Sequence, residues 1–127
     1  MANFSEEEIS AIWKKALVVE NVDSNEWRKD ACEAWINRNK YGDESLYGWE
    51  IDHILPIAKG GTDQTDNLRA FHWKNNRSKG DNFPSYTSAM ASNGNKNIEK
   101  EDSKTVHETT IEKLRSIYPN NSYVKNK

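Results

Sequence analysis

The 127-residue sequence predicts an α+β protein, and three features carry that expectation. A helix start stands at the N-terminus, short alternating apolar runs broken by Gly- and Asp-rich segments fill the middle, and an amphipathic helix stopped by Pro119 lies near the end. The expected arrangement is a single domain over residues 1–127. A hairpin-loop-helix core spans about 30–82, with an N-terminal helix at about 5–19, an extra β-hairpin, and a C-terminal helix at about 103–118.

The first element follows from "FSEEEISAIWKKALVV". Ser5 is an N-cap, Glu8 closes a capping box, and Phe4 with Ile9 can form a hydrophobic staple. Ile9, Ile12, Trp13, Ala16 and Leu17 then make one apolar stripe, while Glu6 to Glu8 favour the positive end of the helix dipole. In "RKDACEAWINRNKYG" the alternation of Cys32, Ala34 and Ile36 with Ala31, Glu33 and Trp35 predicts a strand. After a turn over 42–47, "YGWEIDHI" predicts a second strand with Trp49 and Ile51 on one face and Glu50 and Asp52 on the other. Residues 54–67 are too rich in Gly, Asp and Thr for anything but a long loop. "LRAFHW" is read as a short strand turn and "WKNNRSKG" as a short helix ended by Gly80. Asn93-Gly94 is the expected turn of the extra hairpin. Val106, Ile111, Leu114, Ile117 and Tyr118 face inward from the last helix, and the tail after Pro119 is expected to fray.

Composition narrows the function. Core-forming aliphatics are scarce, so the five Trp and five Tyr supply much of the buryable surface. The lone Cys32 excludes an intrachain disulfide and a four-cysteine zinc site within the chain, and it suits a reducing compartment. Without a signal-like start or any run approaching 18 apolar residues, a soluble cytoplasmic protein is expected, with no membrane partner and no protein partner indicated. Residues 1–66 hold 14 acidic and 7 basic residues, and residues 67–127 hold 6 and 11. Any phosphate-binding face would therefore lie in the second half. The pI of 5.9 argues against a histone-like binder.

Chemistry concentrates in "WEIDHILPIAKGGTDQTDNLRAFHWKNNRSKGD". The Asp52 carboxylate can hold a divalent cation through oxygen, and the adjacent His53 can take a proton from water near neutral pH. The two serve one site only where the strand bends, and Pro56 suggests that it ends there. Asn76 and Lys79 share a face of the short helix, the first offering an amide oxygen to a hard cation and the second a charge to phosphate. Singly these features have plainer readings, namely a surface hydrogen bond, helix capping and an ordinary turn. Together they suggest metal-assisted attack on a phosphodiester.

The order also resembles a known pattern. An acid-His pair (Asp52-His53), Gly60-Gly61, Asn67-Leu68, then Asn76 and Lys79 three apart resemble the HNH endonuclease family. The intervals agree as well, fifteen residues from Asp52 to Asn67 and nine from Asn67 to Asn76. The resemblance is strong over about 47–82 and looser over the preceding "RKDACEAWINRNKYG". It implies a ββα-metal core and a metal-dependent endonuclease acting on DNA. By position, His53 is the general base, Asp52 and Asn76 are metal ligands, Asn67 fixes the loop or holds the His53 ring, and Lys79 supplies charge. One divalent cation is implied, Mg²⁺ first and Mn²⁺ next.

One departure stands out. Many members carry two Cys-x-x-Cys pairs on a structural zinc, whereas here His72 and Asn75 occupy the later pair and no cysteine matches the earlier one. No zinc ribbon is expected, and packing by Trp35, Trp49, Phe71 and Trp73 is expected to tie hairpin to helix instead. A structural or phosphate-contacting role is favoured for His72 over a third metal ligand. His107 is read as a surface residue. Arg38, Arg69, Lys74, Arg77 and Lys79 are candidates for phosphate contacts. No recognition helix or finger offers base readout, so weak sequence preference is expected. Two alternatives stay open: a non-catalytic nucleic-acid-binding module of the same fold, and a toxin-type nuclease with an immunity partner.

Overall fold

The computed structural model describes residues 3–125. Helix α1 (Glu6–Trp13) is followed by strands β1 (Trp27–Lys29) and β2 (Trp35–Asn37), and then by β3 (Trp49–His53) and β4 (Leu68–His72). Helix α2 (Trp73–Lys79) leads to β5 (Ser85–Asn93), β6 (Lys96–Thr105) and helix α3 (Glu108–Ile117). The strands pair antiparallel as β1–β2, β3–β4 and β5–β6, so the α+β expectation agrees with the mix of helices and small antiparallel sheets.

The β3–β4 pair organises the centre. Its register sets Trp49 against His72, Ile51 against Ala70, and Asp52 against Arg69. Because side chains alternate, Trp49, Ile51, Leu68 and Ala70 face one way and pack with Ile9, Ile12, Trp13 and Ile36. Trp13 and Trp49 meet at 5.4 Å between ring centroids. Phe71, from the opposite face, joins a second cluster with Ile54, Leu55, Tyr86, Val106 and Leu114. Helix α2 lies over β5 and against β3.

Several elements differ from expectation for identifiable reasons. The Ser5–Glu8 capping box forms, but α1 ends at Trp13 rather than near residue 19. There the Arg28 guanidinium donates to the Lys14 and Ala16 carbonyls, and Leu17 exchanges backbone hydrogen bonds with Lys29 instead of continuing the helix. The expected strand over 31–36 is a turn over 30–34 followed by β2. The Asp30 Oδ1 accepts from the backbone N–H groups of Cys32 and Ala34, both at 2.9 Å, and Glu33 adopts φ 65°.

The turn of the extra hairpin is Gly94-Asn95, since Asn93 pairs with Lys96, and Gly94 at φ 63° occupies the first central position as a type II′ turn requires. The last helix begins at Glu108, not 103, because β6 runs on to Thr105 and His107 becomes the N-cap. That exposed histidine accepts from Thr109 N–H through Nδ1. Nor do the described residues after Pro119 fray: Val124 is buried in the second cluster, and Asn121 donates to the Lys59 carbonyl at 2.7 Å.

The aromatic tie between hairpin and helix is also only part of the picture. Trp49 and Phe71 are fully buried, but on opposite faces, while the Trp35 and Trp73 indoles donate outward to Gly94 and Ser45 carbonyls. The joint is made by a buried carboxylate. Asp30 Oδ2 accepts from the His72 backbone N–H at 2.9 Å and from Asn75 Nδ2 at 3.0 Å. No helix of the described residues is long and apolar enough to cross a membrane.

Candidate active site

Where β3 ends, a cleft of about 740 Å³ opens, lined by Glu50, Asp52 and His53 from β3, by Asn76 from α2, and by Phe4 and Tyr41. Three of the residues singled out in the sequence, Asp52, His53 and Asn76, thus meet at one cavity. A smaller cavity of about 270 Å³, lined in part by Lys29, Glu33 and Lys100, shares none of them.

His53 is the last residue of β3 and most of its ring is covered. Its Nε2 lies 2.7 Å from Asp63 Oδ1, a partner supplied by the Gly-rich loop. That loop is shaped by its glycines: Gly60 adopts φ 99°, and a Cβ on Gly61 would come within 1.8 Å of the Leu55 carbonyl oxygen. Asn67, fully buried, cross-links the same loop. It accepts from Leu55 N–H and donates to the Leu55 and Thr62 carbonyls. Of its two expected tasks Asn67 performs the first, fixing the loop, and Asp63 contacts the His53 ring.

Asp52 is buried between two cations. Its Oδ2 accepts from Arg69 Nε at 2.9 Å, directly across the ladder, and its Oδ1 lies 3.2 Å from Lys79 Nζ. Lys79, fully buried, also donates to the His53 carbonyl at 3.1 Å. Burial pushes the Lys79 pKa down against the pull of Asp52. Burial likewise opposes the Arg69 charge, but Asp52 and neighbouring groups more than offset it and the Arg69 pKa is raised. The guanidinium is stacked over Phe71 with its carbon 4.1 Å from the ring centroid. The expected phosphate contacts at Lys79 and Arg69 are therefore corrected: both side chains are internal partners of Asp52.

The other three basic candidates are also engaged. Arg38 pairs with Glu6, Lys74 with Glu99, and Arg77 with Glu44 and Glu50. Of these, Arg77 lines the cleft and is half exposed.

His72 is resolved by its partners. It is the N-cap of α2, with Nδ1 accepting from Lys74 N–H and Nε2 within 2.8 Å of the Leu46 carbonyl, which makes it a neutral, Nε2-protonated ring. Burial holds its pKa below the ordinary histidine value. Both nitrogens are spoken for and His72 does not line the cleft, so the third-ligand reading is set aside for the structural one. Asn75 is equally saturated, accepting from Ala89 and Met90 N–H and donating to Asp30 and the Met90 carbonyl.

Asn76 differs. Its Nδ2 donates to Glu50 Oε1 at 3.0 Å, and its Oδ1 accepts from no described residue. Among the described residues no three of His, Cys, Asp and Glu converge to hold a metal ion by themselves. An ion in the cleft would depend on the Asn76 amide oxygen beside Asp52, whose two oxygens each keep a lone pair beyond their present bonds. That all-oxygen set suits a hard cation that retains waters.

Sequence reasoning missed Asp63, Glu50 and the pairing of Arg69 with Asp52. Glu50 was within reach, since alternation already put it on the Asp52 face. Asp63 carried no local signal in a loop full of polar residues.

No curated protein and no solved structure matches the chain. The family model described as HNH endonuclease matches residues 37–82, the span that holds β3, the loop, β4 and α2. Over residues 37–82 the chain is thus similar to HNH endonucleases.

Proposed function

We propose that this protein is a metal-dependent endonuclease hydrolysing phosphodiester bonds in DNA, built on a ββα-metal core. The observation that carries the reading is the His53–Asp63 contact of 2.7 Å at a cleft also lined by Asp52 and Asn76. With Nε2–H donated to the Asp63 carboxylate, Nδ1 is the nitrogen left to take a proton from the attacking water. Asp63 holds the ring in that tautomer. Asp52 and Asn76 are the residues that would hold the cation, Mg²⁺ or else Mn²⁺. When bound, such an ion supplies stabilisation of the negative charge developing on the phosphate and leaving oxygen. Arg77 is the basic side chain best placed to exchange a carboxylate for a substrate phosphate, because it is exposed at the cleft.

A binding module without catalysis gains little support. It gives no use to Asp52, His53 and Asn76 meeting at one cleft, a set that binding alone does not need. A cleavage panel of supercoiled plasmid, linear duplex, single strand and RNA, with and without Mg²⁺ or Mn²⁺, tests the proposal. Metal-dependent cutting of DNA is expected. DNA affinity without cleavage in any metal would favour the module.

A further inference from the structure

We infer that Glu50 is a positioning residue of the cation site, acting through Asn76. The inference rests on the metal-dependent reading above and adds to it a residue to which the sequence pattern gives no role. Glu50 stands two residues before Asp52 on the same face of β3 and lines the same cleft. Its Oε1 accepts from Asn76 Nδ2 at 3.0 Å, while its Oε2 is steadied by Arg77 Nη2 at 3.1 Å.

The chemistry of the pair is asymmetric. An ionised carboxylate only accepts hydrogen bonds, whereas an amide has a donating end and an accepting end. Asn76 can therefore turn only Nδ2 toward Glu50, and its oxygen is left as the end without a partner. The reversed amide would set two acceptors against each other and offer a hard cation the nitrogen, which such an ion does not take. Neighbouring Asn75 shows the contrast, since hydrogen bonds within the protein occupy both ends of its amide. Glu50 thus selects which atom of Asn76 faces a metal.

Titration of the full chain with Mn²⁺ by calorimetry, without nucleic acid, tests this. Glu50→Gln, which can present either end of an amide to Asn76, is expected to weaken Mn²⁺ binding by roughly tenfold or more while melting with the wild type. In an Asn76→Asp background, where an oxygen faces the cleft in either orientation, Glu50→Gln should cause no further loss. Unchanged Mn²⁺ affinity in Glu50→Gln overturns the inference, as does an equal loss in the Asn76→Asp background, which would mean that Glu50 acts independently of Asn76. Wild-type protein that binds no Mn²⁺ would instead overturn the metal-dependent reading, and this inference with it.

Discussion

Lys79 and Asp52 are joined inside the protein, Nζ to Oδ1 at 3.2 Å, with Lys79 fully buried and its ammonium also bonded to the His53 carbonyl. One side chain from α2 thereby fixes both the acid and the backbone of the histidine beside it. Replacing Lys79 with Met leaves Asp52 with Arg69 alone and the His53 carbonyl without its donor. Because Arg69 still compensates Asp52, the expected cost is about 1–3 kcal/mol, that of buried acceptors left without a donor, and urea unfolding measures it. A loss under 1 kcal/mol would mean that the pair contributes little.

Asp30 offers a test of what joins hairpin to helix. Asp30→Asn keeps an oxygen for Cys32 and Ala34 but turns an amide toward two donors, the His72 N–H and Asn75 Nδ2. Unsatisfied buried donors cost about 1–3 kcal/mol each, so a loss of that order in chemical denaturation is expected. Stability equal to wild type would show that the aromatic contacts alone hold hairpin to helix.

His72 makes stability depend on pH. Its folded pKa is depressed by burial, so the unfolded chain binds the proton more tightly. The stabilisation is present above the unfolded value of about 6.5 and is lost as pH falls from there through the folded value. Protonation of Nδ1 would also break the cap to Lys74 N–H. Melting curves from pH 8 to 5 should fall more steeply for wild type than for His72→Asn, which still caps but does not titrate. Parallel curves would contradict the assignment.

Asp63 separates orientation from folding. Asp63→Ala removes the partner of His53 Nε2 at a largely exposed position. Cleavage should fall roughly 10- to 100-fold through kcat with the melting temperature unchanged, and Asn at 63, a neutral acceptor, should lie between. Full activity in the alanine variant would free His53 from any need of Asp63.

Legibility in the sequence followed the range of the interactions. The Ser5–Glu8 capping box, the sharing of one strand face by Glu50 and Asp52, and Gly80 ending α2 are local and were readable. The Asp30 hub joins residues 42 and 45 positions away, and Asp63 reaches back ten residues across a loop. Neither leaves a trace in periodicity. In the sequence Arg69 and Lys79 are candidates for phosphate contacts, because composition cannot tell a charge open to a substrate from one folded onto a carboxylate. The acid that claims Arg69 lies directly across the ladder, a relation fixed only once the strand register is known.

The central claim is that His53 activates water for phosphodiester hydrolysis at a cleft that takes a divalent cation. Its most direct test is conversion of supercoiled plasmid by purified wild type and His53→Ala in Mg²⁺ or Mn²⁺, with circular dichroism confirming equal folding. The account predicts nicked or linear product from wild type only with metal present, and none above background from His53→Ala. Cleavage at the wild-type rate by a folded His53→Ala protein would contradict it.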